Sequence, residues 1–561
     1  MLYLIFKRNY RVCGDFSRSK IHTIIAFSRL VGDPTTFKAE KYVRKTLRIL
    51  DVYAEKEDAK MAKFVGMMKE HSQEMAKILH DSIKLKKYGH DPEMTSDLYH
   101  RIADGYREAP DLRLAWLESL HKFNCEKGNT TEAAYDQIHI AALVAEYLHL
   151  TDPRSDFLPQ GAKGLVNISP TCAEEAYKSK KLDFTRLSQS PSFTQNGFLL
   201  LLQRLVNALK KEKLFELQIQ AYKILIPIYE HLQDYPALSR SHLELKSAYD
   251  ELIKENMFNA GERAFGMFFR VGFYGKRFGE LDSKEFIYRE SGLTHLFTLT
   301  ERLKSQFVAL FGEQNVVIIQ SSSSVDVTKL ELAKVYIQIT AVKPYFEEEE
   351  DKQRVSEFQR SFNVSQFHFQ TPFTKSGKSQ GPISEQWMKK TILFCKGQFP
   401  YVVKRLPVVK KIEQDFSPIQ VSTENLKEKN IQLERILNSR IKDIKNLQSI
   451  LSGTCLTSVN VGPFEICKVF LSEPQNFDTQ NIKDLRSEFH KFLLLLQQGI
   501  NVNERYAKDA QKEFQEAVKI GYAKLKEHIE PYLSEDGVSK EILELHKLNT
   551  NLTLDMDFSN N

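Results

Sequence analysis

The chain has 561 residues, of which 42% are hydrophobic and 27% are charged. This length far exceeds the size at which one hydrophobic core stops growing, so we expect roughly two to four domains in an ordinary globular protein. The formal net charge of +6 is too weak to indicate a nucleic-acid partner or a membrane surface. No apolar run approaches the ~20 residues needed to cross a bilayer, so no transmembrane segment is expected.

The start of the chain and its cysteines favour a reduced cellular compartment. Only six residues precede Lys7 and no small-residue cleavage site follows, so the sequence predicts no signal peptide. The cysteines are scattered, and none forms a C-x-x-C pair: Cys13, Cys125, Cys172, Cys395, Cys455 and Cys467. We therefore predict a cytoplasmic protein without disulfides or structural zinc. Regions or partners outside this chain could recruit it to the plasma membrane.

Residues 1–260 have the periodicity of helices. Two close helix pairs are predicted: 112–123 with 131–148, and 214–232 with 235–252. Trp116 and several alanines supply the large-against-small contacts that let paired helices pack closely. Because no strict period of about 34 residues is visible, we predict an irregular α-solenoid rather than a true repeat.

From residue 261 to residue 415 the pattern changes to the two-residue alternation of strands. Six segments alternate or run apolar over strand lengths: FFRVGFYG, EFIYRE, NVVIIQ, KVYIQITAV, SQFHFQTPF and KTILFC. No long helical stretch is predicted between them, which indicates antiparallel pairing. We predict a small lobe of two packed antiparallel sheets, with the acidic run Glu347–Asp351 as a solvated helix start.

Helical periodicity returns over residues 416–533, and residues 534–561 read as a polar tail. One apolar stripe is interrupted between Leu451 and Phe464 by a run that contains Gly453 and Gly462. Glycine lowers helix stability by roughly 1 kcal/mol and an interior proline by about 3 kcal/mol, so a loop should break this helix. Periodicity alone fits a plain turn between two packed helices equally well. The economical arrangement is a four-helix bundle with one helix interrupted by a loop, in a mainly α chain with a β-rich middle lobe.

No segment has the pattern of a site for covalent chemistry. The glycine-rich segment GFYGKRFG (272–279) fails as a phosphate loop because Arg277 stands where Ser or Thr would bind magnesium. The histidines are isolated, with no H-E-x-x-H motif and no nucleophile elbow. We therefore expect no bond-making enzyme, no cofactor and no metal site.

The interruption G-T-C-L-T-S-V-N-V-G-P (453–463) resembles the interrupted late helix in the catalytic region of the DOCK family, where this loop is called the nucleotide sensor. Other segments agree in order and spacing: DPEMTSDLYHRIADGYREAPDLRLAWL (91–117), AALVAEYL (141–148), FFRVGFYGKRFGELDSKEFIYRE (268–290), YIQITAVKPYF (336–346), TPFT (371–374) and QFPYVVKR (398–405). The resemblance extends over residues 2–532 and is closest to the zizimin-like and neighbouring branches.

This resemblance implies a guanine nucleotide exchange factor for Rho-family small GTPases of Rac or Cdc type. In the family pattern the sensor is a valine followed two or three residues later by glycine, and the matching residue here is Val459. A second valine common in the family's loop is replaced here by Cys455, which favours Val459 as the sensor. The rest of the implied site comprises hinge glycines and polar residues that could satisfy the loop backbone: Gly453, Gly462, Ser458 and Asn460. The alternative for Val459 is a turn residue that packs on its own bundle.

The resemblance also implies a role for each lobe. The helical lobe would form a homodimer through the apolar stretch Leu200–Ile228, the β lobe would contact switch I of the GTPase, and the bundle would contact switch II. Candidate partner contacts in the β lobe are aromatic-rich and lie at strand ends, although core packing explains each equally well: Tyr345, Phe346, Phe399, Pro400 and Tyr401. The alternative function is a GTPase-binding scaffold or adaptor without exchange activity, which would have no use for the intact loop.

Overall fold

The computed structural model describes residues 1–32, 40–89, 91–151, 160–176, 188, 190–258, 263–354, 356–375, 381–438, 444–456, 462–506 and 512–533. The predicted polar tail, residues 534–561, lies wholly outside this part of the chain. No helix in the described ranges is both long enough and apolar enough to cross a membrane.

The N-terminal part of the described chain is helical. Its helices are α1 (Leu2–Cys13), α2 (Ser17–Gly32), α3 (Glu40–Glu57), α4 (Ala62–Lys87), α5 (Pro92–Gly105), α6 (Pro110–Glu126), α7 (Thr130–Thr151), α8 (Gln195–Lys211), α9 (Phe215–Leu232) and α10 (Tyr235–Phe258). From α3 onward each helix packs on the next one along the chain, which is the arrangement of a solenoid. Local sequence sets the starts: Asp91 accepts a hydrogen bond from the Met94 N–H at 2.9 Å, and proline is the first residue of both α5 and α6.

Helix α7 lies at the centre of this helical lobe. Every residue from Thr131 to Tyr147 is buried, as expected for a helix that is covered on all sides. It packs between α6 and α8, and two short 3₁₀ helices, Gly161–Leu165 and Pro170–Glu175, cross it. Alanines on α7 leave room for this close packing, including Ala134, Ala141, Ala142 and Ala145, all of which are fully or almost fully buried.

The middle part is a β lobe. Its strands are β1 (Met267–Tyr274), β2 (Lys284–Glu290), β3 (Val316–Ile319), β4 (Val335–Pro344), β5 (Val364–Phe373), β6 (Trp387–Phe399) and β7 (Arg405–Phe416). Their order is β1-β2-β7-β6-β5-β4-β3, and β1 also pairs with β4, which closes the sheet into a barrel. The mainly α chain with a β-rich, largely antiparallel middle lobe is therefore confirmed.

Two strands connect what the sequence predicts as separate sheets. Strand β4 pairs with β1 as far as Val342 and then with β5 at Lys343 and Pro344. Strand β7 pairs with β2 as far as Pro407 and then with β6 from Val408 onward. Long strands that change partner along their length join the two sheets at both edges, which explains the closure.

Two features of the β lobe correct the predicted pattern. A 16-residue helix, α11 (Leu296–Phe311), lies between β2 and β3, where no helix is expected from the sequence. Strand β3 then pairs with β4 in parallel rather than antiparallel fashion. Helix α11 covers the outer face of β1, where Phe269, Val271 and Phe273 are buried against it. The short helices α12 (Glu348–Gln353) and α13 (Glu357–Ser361) complete the lobe.

The helical lobe and the β lobe share one hydrophobic core. Buried residues of α6 to α9 and of the barrel interior form a single cluster, which includes Leu117, Leu202, Phe268 and Phe399. Buried ion pairs cross the same boundary, such as the one between Arg289 Nη1 and Glu132 Oε1 at 3.0 Å. These two lobes are therefore one packed body.

The C-terminal part is a helical bundle with a core of its own. It comprises α14 (Pro418–Asn438), α15 (Ile444–Leu451), α16 (Pro463–Leu471), α17 (Thr479–Tyr506) and α18 (Lys512–Ile529). Its hydrophobic cluster consists of bundle residues, with Ile383 of the β lobe packed against it. Helices α15 and α16 stand at the two ends of the predicted interruption, so the bundle contains one broken helix among four.

Polar contacts join the bundle to the β lobe. Arg435 on α14 lies 2.9 Å from the Asp351 carboxylate, and Lys390 on β6 lies 3.5 Å from Glu424 on α14. The acidic run that contains Asp351 is therefore not merely a solvated helix start, because its last residue pairs with the bundle. Exposed and half-exposed ion pairs contribute little to stability, at most about 1 kcal/mol each.

Candidate functional site

The broken helix approaches α17 closely at a glycine. Leu447 and Leu451 of α15 are fully buried in the bundle core. A methyl group at Gly499 would lie 3.2 Å from Leu447 Cδ1 and 3.6 Å from Leu451 Cδ2. The missing side chain at Gly499 therefore lets α15 pack tightly against α17 before the helix breaks.

A chain of side-chain amides, half-buried at Gln448 and buried at Asn503 and Gln515, fixes the same helices against α18. The Gln448 amide donates to Asn503 Oδ1 at 2.9 Å, and the Asn503 amide donates to Gln515 Oε1 at 2.5 Å. Gln515 in turn donates to the Ile500 carbonyl oxygen at 3.1 Å. Leaving one such buried group without its partner costs about 1–3 kcal/mol, so the network defines one register for α15, α17 and α18.

Helix α15 does not end in a simple cap but continues into a π-helical turn, Ser452–Leu456. Single π turns inside helices are rare and frequently occur at functional sites. This turn packs directly on α18. Its Cys455 carbonyl oxygen lies over the Cα of Gly521, where a methyl group would fall far inside van der Waals contact.

Helix α16 resumes at the other end of the interruption. Gly462 is its N-cap residue, with φ −81° and ψ 169°, and Pro463 occupies its first turn. The Gly462 carbonyl accepts a hydrogen bond from the Ile466 N–H at 3.1 Å. The segment between the two ends, residues 457–461, lies outside the described residues.

The predicted site residues form two groups: those within the segment 457–461 and those that flank it. Val459, Ser458 and Asn460 fall in the segment 457–461, so their roles stay predictions. Gly453 is exposed, and a methyl group added to it would meet no heavy atom within 4 Å. Neither Gly453 nor Gly462 has the positive φ that favours glycine, so backbone geometry does not require glycine at either position.

Apolar side chains lie on both sides of the segment 457–461. Leu456 is 42% exposed at its start, and Phe464 is 40% exposed just after its end. The Phe464 ring packs edge-on against His528 of α18, with 5.0 Å between ring centroids. Both side chains therefore leave part of their apolar surface accessible to a protein partner.

A cleft of about 340 Å³ opens beside the start of α16. The β lobe contributes Ile383 and Gln386 to its lining, and the bundle contributes residues of α14 and α16: Pro418, Val421, Ser422, Asn425, Leu426, Glu428, Lys429, Gln432, Pro463 and Ile466. Burial lowers the pKa of the Lys429 ammonium group. The cleft therefore lies at the boundary between two lobes and reaches the flank of the interruption.

The two cysteines that flank the interruption have shielded thiol groups. Burial raises the pKa of the Cys455 thiol to about 11 and raises the pKa of the Cys467 thiol as well, so both thiols are protonated at neutral pH. Among the residues that the structure describes, no group of three or more His, Cys, Asp or Glu side chains could hold a metal ion.

Three of the predicted partner contacts in the β lobe are buried. Phe399 packs in the barrel against Phe268 and Phe367 and is fully covered. Pro400 is also buried, and the Tyr401 hydroxyl donates to Glu174 of the helical lobe. The burial of these three side chains fits the core-packing alternative, and their role as partner contacts stays a prediction.

The other two predicted partner contacts, Tyr345 and Phe346, are half-buried. Phe346 lies beneath the Arg354 guanidinium, with 4.2 Å from its carbon to the ring centroid. Tyr345 packs edge-on against His368, and the Lys390 ammonium lies 5.4 Å from its ring centroid. Because Lys390 also pairs with Glu424 of α14, Tyr345 lies on the side of the β lobe that faces the bundle.

Sequence reasoning missed the residues that support the interruption. Gly499 and Gly521 each stand inside an otherwise helical apolar pattern, where glycine is unfavourable by roughly 1 kcal/mol. An isolated glycine in such a pattern often marks a close approach, and this signal could have found both residues. No comparable signal marks the amide chain of Gln448, Asn503 and Gln515, because polar residues in helices usually face solvent.

Family models for three lobes match three successive parts of the chain. The family model for "DHR-2, Lobe A" matches residues 97–254, that for "DHR-2, Lobe B" matches residues 322–398, and that for "DHR-2, Lobe C" matches residues 432–532. A helical lobe, a closed β lobe and a bundle with a broken helix therefore define a DHR-2 region.

Curated relatives match over almost the whole chain. The chain is 36% identical to human dedicator of cytokinesis protein 8 over 554 residues, which are 97% of this chain and 26% of that protein. It is 36% identical to human dedicator of cytokinesis protein 7, covering 97% of this chain and 25% of that protein, and 31% identical to mouse dedicator of cytokinesis protein 9, covering 95% and 26%. The chain belongs to the dedicator of cytokinesis (DOCK) family. It spans about a quarter of the length of the curated relatives it matches.

Proposed function

We propose that this chain is a guanine nucleotide exchange factor for Rho-family small GTPases of Rac or Cdc type. The observation that carries the proposal is the broken helix of the bundle, in a chain that belongs to the DOCK family. Helix α15 ends in a π turn packed on α18, and α16 begins at Pro463 after its N-cap residue Gly462, so the five residues 457–461 lie between these two ends in the sequence. Those five residues include Val459.

The proposed chemistry acts on the magnesium ion of the GTPase. A small GTPase holds its nucleotide through a magnesium ion that bridges phosphate oxygens, with switch loops ordered around it. Magnesium requires near-octahedral oxygen ligands and keeps several waters. An apolar side chain inserted into that shell supplies no ligand and displaces water, so the ion leaves and the nucleotide is released.

Val459 suits this role because a β-branched side chain has a restricted χ1 and is stiff when inserted. Ser458 and Asn460 would supply hydrogen bonds to the backbone of the loop, and Gly453 and Gly462 would serve as its hinges. The partly exposed Leu456 and Phe464 would extend the apolar contact on either side. The DOCK-family resemblance of residues 453–463 is the basis for these assignments.

We propose one role for each lobe. The bundle (416–533) would contact switch II and present Val459, and the β lobe (261–415) would contact switch I. Tyr345 and Phe346 are retained as β-lobe contacts because both side chains are half-buried and so keep some surface for a partner. The helical lobe (1–260) shares a core with the β lobe and would brace it. The cleft lies between the bundle and the β lobe, as expected for a GTPase that contacts both lobes.

We also propose that the helical lobe forms a homodimer. Most apolar residues of the predicted stretch Leu200–Ile228 are buried inside the lobe, although Leu200 is 55% exposed. The neighbouring helix α10 exposes an apolar face instead: Tyr235, Leu243, Tyr249 and Ile253. Their spacing places them within about a third of the helix circumference, as in a self-complementary interface. The protein would act in the cytoplasm.

A nucleotide-release assay tests the proposed activity. A panel of purified Rho-family GTPases is loaded with a fluorescent GDP analogue, and release is followed with and without this chain in excess unlabelled GDP and magnesium. We expect acceleration for at least one GTPase of Rac or Cdc type. Binding to a GTPase without acceleration would support the scaffold alternative. If the chain neither binds nor accelerates release from any GTPase of the panel, both the exchange function and the scaffold alternative are contradicted.

A further inference from the structure

Helix α18 supports the π turn through one glycine. Gly521 faces the turn Ser452–Leu456, and the Cys455 carbonyl oxygen occupies the place that a side chain at position 521 would take. A methyl group there would also lie 3.0 Å from the Cys455 carbonyl carbon and 3.2 Å from its Cβ. The obstructing atoms belong to the backbone, so rotation of a side chain cannot relieve the contact.

Helix α18, one side of this contact, cannot move freely. Helix α18 is held by the Tyr522 hydroxyl, which donates to the Leu493 carbonyl at 3.1 Å, and by Gln515 in the amide chain. Val518 and Ile529 of the same helix are fully buried in the bundle core. A side chain at position 521 would therefore displace the π turn rather than the whole of α18.

The backbone conformation of position 521 does not explain why a glycine is present there. Gly521 lies within a regular helix and has no left-handed φ, so its backbone is one that any residue adopts. Glycine is also the least favourable helix residue after proline. What position 521 requires is the absence of a side chain, which lets the two backbones meet.

We infer that Gly521 is a positioning residue for nucleotide exchange. It fixes the π turn against α18 and so determines the position and direction of the chain at Leu456, the last described residue before the segment 457–461. This inference rests on the proposed function, because it makes the placement of the turn a requirement of the exchange step. A displacement of about 1 Å at a catalytic element can reduce a rate by roughly a hundredfold.

The test compares two glycine-to-alanine variants within helices. Gly521→Ala adds a methyl group into the Cys455 backbone, and Gly66→Ala adds one into open space on the surface of α4. Nucleotide release from the responsive GTPase is measured over a range of concentrations of this chain. We expect Gly521→Ala to lower the release rate at saturation by roughly ten- to a hundredfold while the half-saturating concentration stays within about threefold. Gly66→Ala should stay within about twofold of the wild-type rate.

Two further measurements separate positioning from folding. The melting temperature of Gly521→Ala should stay close to that of the wild type, and its affinity for nucleotide-free GTPase should be retained. When a chelator removes magnesium from the GTPase, release with Gly521→Ala and with the wild type should converge, because expulsion of the ion is no longer needed. A Gly521→Ala chain that fails to fold or fails to bind would overturn the inference, since Gly521 would then be a folding residue.

Failure of the inference and failure of the proposed function give different results. If the wild-type chain accelerates release and Gly521→Ala accelerates it equally, the positioning role is wrong and the exchange function stands. If the wild-type chain accelerates release from no GTPase in the panel, the proposed function itself fails.

Discussion

The Arg405 guanidinium at the start of β7 lies 2.8 Å, measured from Nε, from the Asp97 carboxylate of α5. Arg405 is fully buried between the helical lobe and the β lobe and also donates to the Tyr288 hydroxyl at 2.9 Å. Burial raises the pKa of Asp97 to about 6, even though Arg405 opposes that shift. A charged pair thus crosses the boundary between these two lobes inside the protein.

Removing one member of this pair should destabilise the protein strongly. We expect Arg405→Met to lower the free energy of unfolding by up to about 3–5 kcal/mol, because it leaves the largely buried Asp97 carboxylate without its counter-ion. The double variant Arg405→Met with Asp97→Leu should recover most of that loss, because neither charge of the pair is left. Urea unfolding at neutral pH measures both changes.

The matched control for this prediction is an exposed ion pair. Lys246 and Asp250 on α10 lie 3.2 Å apart on the surface, so Lys246→Met should change the free energy of unfolding by less than about 0.5 kcal/mol. Equal losses in the single and double variants would show that packing of the arginine side chain, rather than its charge, joins the two lobes.

A buried histidine should make the N-terminal helices sensitive to mild acid. His71 on α4 packs edge-on against Phe6, 5.4 Å between ring centroids, and neither ring nitrogen has a hydrogen-bond partner among the described residues. Burial, and secondarily the Lys20 ammonium, lowers the pKa of His71 to about 4. The folded pKa is below the unfolded value of about 6.5, so this contribution to stability is present above pH ~6.5 and is lost as pH falls toward 4.

His71→Leu tests this directly. The variant should lose less stability than the wild type between pH 7.5 and pH 5, because no buried imidazole then has to be protonated. Thermal unfolding at both pH values measures the difference, and other titrating groups cancel in the comparison. His22 on α2 is exposed, so His22→Leu should leave the pH dependence unchanged. An unaltered pH dependence in His71→Leu would contradict the assignment.

The sequence predicts the fold class well where burial follows a simple period. The helical lobe and the bundle have apolar stripes at helical spacing, and six of the seven strands alternate clearly. Strand β7 escapes detection because its residues from Val409 to Asp415 are exposed in the structure and mostly charged or polar in the sequence. Closure of the barrel escapes detection because it depends on β4 and β7 changing partners, which no local pattern encodes.

The candidate site can be predicted from the sequence only where local residue preferences determine the structure. Gly453 and Gly462-Pro463 break a helix by their own preferences, so the interruption is visible in the sequence. An aromatic residue at a strand end, in contrast, has the same pattern whether it faces a partner or another lobe. Phe399 and Tyr401 are buried because the helical lobe packs on that end of the barrel, and only the tertiary structure specifies this contact.

The apolar face of α10 should control assembly if the proposed homodimer is correct. Leu243 is 67% exposed, and Leu243→Glu would place a carboxylate opposite its own copy in an isologous interface. We expect this variant to be monomeric by light scattering at a concentration where the wild type is dimeric. Tyr42→Glu, which changes a side chain of 72% exposure on α3, is the control and should leave the dimer intact. A wild-type mass equal to that of a monomer at micromolar concentration would contradict the proposal.

The nucleotide state of the GTPase should determine how tightly it binds. An exchange factor that expels magnesium binds the nucleotide-free state best, because only that state leaves room for the sensor. Pull-downs with chelator should therefore capture more GTPase than pull-downs with excess magnesium and GTP. Equal capture under both conditions would favour the scaffold alternative.

The most direct test of the proposed role of Val459 in nucleotide exchange is the rate of nucleotide release by Val459→Ala. The loss of two methyl-sized groups from a tight contact is worth on the order of 1–3 kcal/mol, and each 1.4 kcal/mol is tenfold in rate, so we expect a drop of roughly ten- to a hundredfold. Melting temperature and GTPase affinity should be retained, and Val461→Ala, a matched change in the same segment, should release nucleotide at close to the wild-type rate. Normal exchange by Val459→Ala together with a lowered melting temperature would contradict the account, because Val459 would then be a packing residue of its own bundle.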